Sequence, residues 1–357
     1  MSAAKRRLAP PARDPGVRRS FLQAGEDLGC GRPTAGSSYS ELVLDLLEGR
    51  DHGLLVASAQ GRIRARAVVA ARDAEPDTAI LGLYEAADGE VGDAATARIL
   101  DEAEAWARAR GRRRILAPVD GSTWMAYRFR IPSLDAGRLA SRRSYSWEPH
   151  HPERYPQRFF EAGYREALRF ETLGLVFPQD DGYRLAEASV RTRPAAEAAR
   201  DHGYRFEALR DHREAVPWPE LHSVCSDGFR ENPLFDALPL SLFRQLYHGA
   251  LGFAAWDFTH WLRDPAGELC AVVFAFRQDE AVVVKSIAVS PLHRGRHLST
   301  ALIHRVLDAA ASAGVHEIVS ALVRSGNTSE FLSRRHLMPG VESWSHGFAV
   351  LGREVEP

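Results

Sequence analysis

The spacing of apolar residues changes several times between residues 39 and 119, and each change predicts an element. Glu41–Glu48 carries helical spacing. His52–Ala59 and Arg62–Arg72 read as strands that meet at Gln60-Gly61, a hairpin turn. Thr78–Tyr84 is another short strand. Asp93–Arg110 is a helix with Ile99, Ala103, Trp106 and Ala107 along its apolar side, and Arg113–Val119 is the next strand. The second half runs through the same order. Tyr204–Arg210 is a strand, Trp218–Phe229 and Leu240–Gly249 are helices, and Phe258–Arg263 and Leu269–Arg277 form a hairpin around Pro265-Ala266-Gly267. Ala281–Val289 follows as a strand, then a helix, then strand His316–Val323.

The two halves also match in residues. Arg98-Ile99-Leu100-Asp101 stands against Arg305-Val306-Leu307-Asp308, Gly111 against Gly314, and Ile115-Leu116-Ala117 against Ile318-Val319-Ser320, an offset of 207 at the first match and 203 after the glycine, a difference close to one helical turn. Agreement of residues and strand order together indicates a diverged tandem repeat. Residues 1–38 are rich in Pro, Arg and small residues. They read as a flexible tail in which only Ser20–Leu28 has the pattern of a short helix. The expected division is therefore a tail over 1–38, a first copy over 39–180 and a second over 181–357.

Composition narrows the function classes. The 357 residues are enough for two domains of ordinary size, with 45% hydrophobic and 26% charged residues. A net charge of −1 gives no general attraction to nucleic acid or an anionic membrane. Cys30, Cys225 and Cys270 are scattered without CxxC spacing, which argues against a disulfide framework or a metal site. No apolar run reaches membrane-spanning length, and the basic start lacks the apolar core of a secretion signal, so the expected location is cytoplasmic.

The chemistry gathers at AVVVKSIAVS PLHRGRHLST ALIHRVLDAA ASAG, residues 281–314. Val282, Val283, Val284, Ile287 and Val289 form a β-branched run. Pro291 and Gly295 mark a turn. Leu298, Leu302, Val306 and Ala310 then recur every four residues along a helix. His293, Arg294, Arg296 and His297 crowd the turn before the helix start, where unpaired backbone N–H groups and a partial positive charge favour an anion. Arginines at that place suit a multiply charged phosphate ester.

This strand, proline, Arg294-Gly295-Arg296-His297-Leu298-Ser299 turn and helix resemble motif A of the GNAT acyltransferase superfamily, which binds acyl-coenzyme A. The pattern departs from the family at His297 and Ser299, where small residues are usual. The first half resembles the degenerate copy of bacterial tandem GNAT-like proteins, through Ala117-Pro118-Val119-Asp120-Gly121-Ser122-Thr123 and through Pro152 to Tyr164. The resemblance implies an α/β (α+β) fold of two tandem GNAT-like domains, each a mixed, mainly antiparallel sheet flanked by helices. It also implies acyl-CoA as co-substrate without a metal. The implied binding residues are Ala288 and Val289 on the strand, Arg294, Gly295, Arg296, His297, Leu298 and Ser299 in the turn, and Asn327 after the following strand. Where the second copy has arginines, the first has Glu85, Asp88, Glu90 and Asp93, which repel a diphosphate and suit a helix start.

The proton-transfer groups are harder to assign. The family tyrosine beyond Asn327 is replaced by Leu332 and Ser333, and its early-strand glutamate by Val282–Val284. Asp257, Lys285 and Ser333 remain as catalytic candidates, with His260 and Asp279 nearby in the pattern. Asp120, Ser122 and Thr123, with Trp124 and Tyr127, read either as a pocket lining or as a loop capped by its own Asp and Ser hydrogen bonds. The expected activity is acyl-CoA-dependent transfer, acetyl transfer in the first instance, to the amine of a small molecule, peptide or protein, with chemistry in the C-terminal copy. The alternative is an inactive tandem module kept for binding or scaffolding. Near-neutral charge and the lack of a basic stripe argue against an aminoacyl-tRNA donor. The acceptor and the oligomeric state stay open.

Overall fold

The computed structural model describes residues 15–29, 36–132, 145, 147–177, 182–212, 214–251, 256–327 and 341–356. Contacts divide the chain into two units. The first comprises Met1–Pro132, Ser144–Arg169 and Phe348–Pro357, and the second Ser133–Arg143 and Phe170–Gly347.

The first unit begins with helices α1 (Pro15–Gly29) and α2 (Ser37–Leu46). Strands β1 (His52–Ala59), β2 (Arg62–Ala71) and β3 (Thr78–Ala86), helix α3 (Gly89–Arg108) and strands β4 (Arg114–Ala117) and β5 (Phe129–Ile131) follow, then helix α4 (Arg154–Glu161). Neighbours β1–β2 and β2–β3 are antiparallel, whereas β3 and β4 pair in parallel across the α3 crossover. The core lies between this sheet and α3, with Leu55, Val69, Leu81, Ile99, Ala103 and Ile115 buried in it. Residues 15–29, expected as part of a tail, are helix α1, longer than the anticipated 20–28. Its Phe21 is fully buried, and the Phe21 carbonyl accepts a hydrogen bond from buried Arg66 Nη1 at 3.0 Å. Arg and Pro in the composition masked this docking; the decisive feature is one aromatic residue with a cation over its face.

The second unit contains strand β6 (Arg165–Val176, which starts in the first unit), helix α5 (Gly182–Asp201), strand β7 (Arg205–Ala208), helices α6 (Trp218–Phe229) and α7 (Leu240–Leu251), and strands β8 (His260–Arg263), β9 (Leu269–Gln278) and β10 (Ala281–Val289). Helix α8 (Leu298–Ser312), strand β11 (Glu317–Arg324) and strand β12 (Glu342–Glu354, which ends in the first unit) complete it. The order across its sheet is β6-β11-β10-β9-β8-β7; β10 and β11 are parallel around the α8 crossover, and the other neighbouring pairs are antiparallel. Helices α5 and α8 pack together over one face, where His304 is held by Ser189 and Thr192 of α5.

Both units therefore run helix, helix, three antiparallel strands, crossover helix, parallel strand. The fold is mixed α/β with a mainly antiparallel sheet and flanking helices, in two copies. The register agrees with the 203-residue offset: Ala79 pairs Ile115 in the first copy, and Val282 pairs Ile318 in the second. The last strand of each half passes into the other unit: β6 pairs β11, and β12 pairs β4. A fragment of residues 181–357 thus lacks the neighbour of β11 and leaves a bare sheet edge, which favours aggregation. Expressed alone it should be insoluble or unfolded by circular dichroism, and co-expression with residues 1–180 should restore a soluble pair. A cooperative melt of the lone fragment would contradict this exchange.

Candidate functional site

In both copies the middle strand bulges at one place and then leaves its parallel neighbour. In β3 the register shifts between Gly82 and Glu85. In β10 it shifts between Val284 and Ser286, so Lys285 is the extra residue. The parallel ladder of β10 and β11 runs only over Ala281–Val284, and among the described residues it goes no further. From there β10 is paired through Val289 with β9 alone.

The copies differ in what happens to the released backbone. In the first, β4 continues toward β3 as a loop. Val119 N–H donates to the Leu81 carbonyl at 2.8 Å, and Leu83 N–H donates to Asp120 Oδ1 at 2.7 Å. A Cβ on Gly82 would run into the Val119 carbonyl, so the glycine lets the loop close. Tyr39 OH donates to Asp120 Oδ2 at 2.9 Å. Arg66 and Glu85, a cross-strand pair, fill the face below α1 and are both buried. The gap is sealed by the copy's own side chains.

In the second copy the residue 203 positions after Val119 is Leu322. Its φ is +50°, and its N–H turns away from β10 to donate to Thr172 Oγ1 of β6 at 3.3 Å. The pair matching Arg66 and Glu85 is Val272 and Ala288, both apolar. The strands stay parted where the first copy closes.

The turn after β10 is built from backbone. Ser290 N–H bonds the Cys270 carbonyl, and Pro291–His293 form a single 3₁₀ turn. Gly295 has φ +78° and His297 has φ +57°, left-handed conformations of the kind from which anion-binding concavities are made. The His297 side chain is exposed; histidine is among the residue types enriched in this backbone region. The first helical bond of α8 is Ala301 N–H to the His297 carbonyl, so the N–H groups of Leu298, Ser299 and Thr300 precede the intrahelical ladder, and no side chain caps this end.

The two arginines are not aimed at that end. Arg294 Nη1 donates to Glu231 at 2.6 Å, and Arg296 Nη1 donates to Tyr204 OH at 2.7 Å. Tyr204 also bonds His293 Nδ1 at 2.9 Å, and His293 Nε2 lies 3.6 Å from Asp264. Sequence spacing could not reveal Tyr204, Glu231 or Thr172, because each comes from a distant element. Of the catalytic candidates, Asp257 is exposed in an ion pair with Arg210. Lys285 occupies the bulge, half-buried, and Ser333 lies outside the described residues. His260 is buried, and burial lowers its imidazole to about 4. It pairs Val273 on the face covered by α8, so it lies away from α6 and α7. Asn327 sits in the turn after β11, with its N–H 3.3 Å from the Arg324 carbonyl. The Asp120–Ser122 segment is a self-capped loop: Ser122 Oγ accepts from Trp124 N–H, and Asp120 serves Leu83 and Tyr39.

The model for the acetyltransferase (GNAT) family matches residues 218–330, from α6 to just beyond Asn327. The matched segment spans α6 through β11, the part of the chain in which β10 and β11 part. No curated protein matches the chain in sequence. Similar solved structures include a conserved protein from Enterococcus faecalis V583 described as a probable N-acyltransferase. It is 9% identical, aligned over 96% of this chain and 71% of that one, with a TM-score of 0.53. A tandem GNAT protein from the clavulanic acid pathway is 13% identical over 98% of both chains, with a TM-score of 0.48. A GCN5-related N-acetyltransferase from Sphaerobacter thermophilus is 15% identical over 98% of this chain and 95% of its own, with a TM-score of 0.44. Among the described residues no helix is long and apolar enough to cross a membrane, and no group of three or more His, Cys, Asp or Glu could hold a metal ion.

The sealing carboxylate has a pH signature. Burial raises Asp120 to about 6 from 3.8. Between those values the folded chain takes up a proton before the unfolded one does, so this group adds stability as pH falls. His260, lowered by burial, works in the opposite direction. Its unfolded form protonates first near 6.5, so stability is lost as pH falls from there toward 4. Each term is on the order of 3 kcal/mol, and they overlap with opposite sign. The wild-type melting temperature should therefore change little between pH 7 and pH 5. Asp120→Asn removes one side of the balance, and its melting temperature should fall markedly over the same interval. Equal falls in both proteins would refute the assignment.

Proposed function

We propose that the chain is an acyl-CoA-dependent N-acyltransferase whose C-terminal copy holds the acyl donor. The observation that carries this reading is the redirected hydrogen bond. Val119 N–H closes the first copy onto β3, whereas Leu322 N–H goes to Thr172, and among the described residues the β10–β11 ladder ends at Val284. A diphosphate would rest on the N–H groups of Gly295 to Ser299, with Arg294, Arg296 and His297 around it. The pantetheine arm would run along the parted edge of β10 beside Ala288 and Val289, and Asn327 would border it from β11.

The chemistry is displacement at a thioester. The acceptor amine, as its neutral base, attacks the acyl carbon. The C–S bond breaks, the thiolate leaves and is protonated, and the new amide nitrogen loses a proton to a base or to water. The carbonyl oxygen would be polarised by a backbone N–H at the bulge. The equivalent N–H in the first copy, that of Leu83, already holds an oxygen anion, Asp120 Oδ1. Acetyl is the proposed group, and the acceptor is the amine of a small molecule, peptide or protein. Lys285, at the bulge, would orient an acidic part of that acceptor. Asp257 and Ser333 remain proposals for proton transfer. The second reading is a non-catalytic tandem module, and it draws on the engagement of both turn arginines by protein partners.

Calorimetric titration with acetyl-CoA should give one site per chain; no heat at millimolar ligand would sink the reading. Ser299→Glu puts a negative charge in the first turn of α8. The charge suits the helix dipole, so thermal stability should hold or rise, while acetyl-CoA affinity should drop about tenfold or more. His297→Gly should retain binding within about threefold, since the site is proposed on backbone donors and glycine keeps the left-handed conformation. Loss of binding in this variant would show that the imidazole itself contacts the phosphate.

A further inference from the structure

The turn that would receive the diphosphate has little packing to hold its shape. Pro291, Leu292 and residues 294–297 are exposed, Leu292 by 84%. A Cβ placed on Gly295 would find no atom within 4 Å, so its φ of +78° is not fixed by neighbours. Arg294 N–H reaches the Pro291 carbonyl at 3.4 Å, and Ala301 N–H starts the helix. Among the described residues no backbone–backbone bond is donated between them. Two left-handed residues in such a stretch, one of them a histidine, require a fastening from elsewhere.

Side chains supply it. Arg296 Nη1 donates to Tyr204 OH at 2.7 Å, and a guanidinium can only donate. The phenol's own proton is left for His293 Nδ1, 2.9 Å away, and the neutral imidazole then carries its proton on Nε2, 3.6 Å from Asp264 Oδ2. One oxygen thus ties residues 293 and 296 from the two sides of Arg294-Gly295 and closes a ring on the turn. Both anchors are firm. Tyr204 is buried, and its N–H bonds the Ala199 carbonyl at the end of α5. Asp264 Oδ1 accepts from the N–H groups of Ala266 and Glu268 in the β8–β9 hairpin. That hairpin meets the end of α5, where a Cβ on Gly203 would lie 3.2 Å from Pro265 Cγ.

We propose that Tyr204 is a positioning residue for the diphosphate turn. Its hydroxyl holds Arg296 and His293 so that the N–H groups of Gly295 to Ser299 are aligned before any ligand arrives. Arg296 acts as a strut of the turn, and its guanidinium stays on the phenol when the phosphates bind. This rests on the reading of the turn as a diphosphate site.

Tyr204→Phe removes the hydroxyl and keeps the buried ring, so it tests the tie on the full chain. Two readouts are taken: backbone ¹⁵N relaxation of the deuterated protein, and calorimetry with coenzyme A. In ligand-free wild type, Gly295, Arg296 and His297 should show order parameters of about 0.8, and in the variant they should drop below about 0.6 while the rest of the second unit keeps its values. Coenzyme A should bind the variant about five- to tenfold more weakly, since one hydrogen bond no longer keeps the competent turn populated. Saturating coenzyme A should restore the order parameters of the turn, a recovery that general loosening of the fold would not give. If Tyr204→Phe binds coenzyme A as tightly as wild type or more tightly, the positioning role is wrong and the diphosphate site stands; tighter binding would mean that a freed Arg296 grips the phosphates. If the turn is mobile in ligand-free wild type, or equally ordered in the variant, the role is likewise wrong. If wild type binds no coenzyme A, the diphosphate site falls and the role of Tyr204 falls with it.

Discussion

A backbone N–H released from one strand needs an acceptor elsewhere, because a buried donor left unpaired is costly. Two parallel strands can part inside a sheet only if something meets that need. At Leu322 the donor is met by a threonine hydroxyl on β6, and a left-handed backbone turns it there. At Val119 it is met by the opposing strand itself. The open or closed state of each copy follows from these two choices. The residues around them agree with the choice: Asp120, Arg66 and Glu85 in the closed copy, Val272 and Ala288 in the open one.

The turn after β10 depends on that opening in turn. Its exposed donors are main-chain groups, presented by two left-handed residues and an uncapped helix start. The arginines that first draw attention are held from the side, one by Glu231 on the α6 segment and one by Tyr204 at the end of α5. Side-chain charge near a helix start therefore indicates the place and does not give the geometry. The same arrangement accounts for His297. At this position histidine adopts the left-handed conformation open to glycine, and its side chain is exposed.

Elements with a clear apolar period were legible from the amino-acid order. The strands His52–Ala59 and Ala281–Val289 and the helix Trp218–Phe229 have the bounds their periodicity predicts. The bulge, the long strands β6 and β12 and helix α5 were not read in advance. Helix α5 contains Pro194, and its arginines blur its apolar side, so packing against α8 decides it. Helix α1 was hidden by the composition around it, although Phe21 is its anchor. The site was legible as a turn and a strand. Its opening was not, because that depends on Thr172, 150 residues away from Leu322 in the chain.

The exchange of last strands has a consequence for how this gene can change. A duplicated domain that has lost its ligand is ordinarily free to be deleted. Here the N-terminal half supplies the strand beside β11 in the second unit, and the C-terminal half returns one that finishes the sheet of the first. Deleting either half would take away a strand that the other half's sheet pairs with, so the two are expected to be retained or lost together.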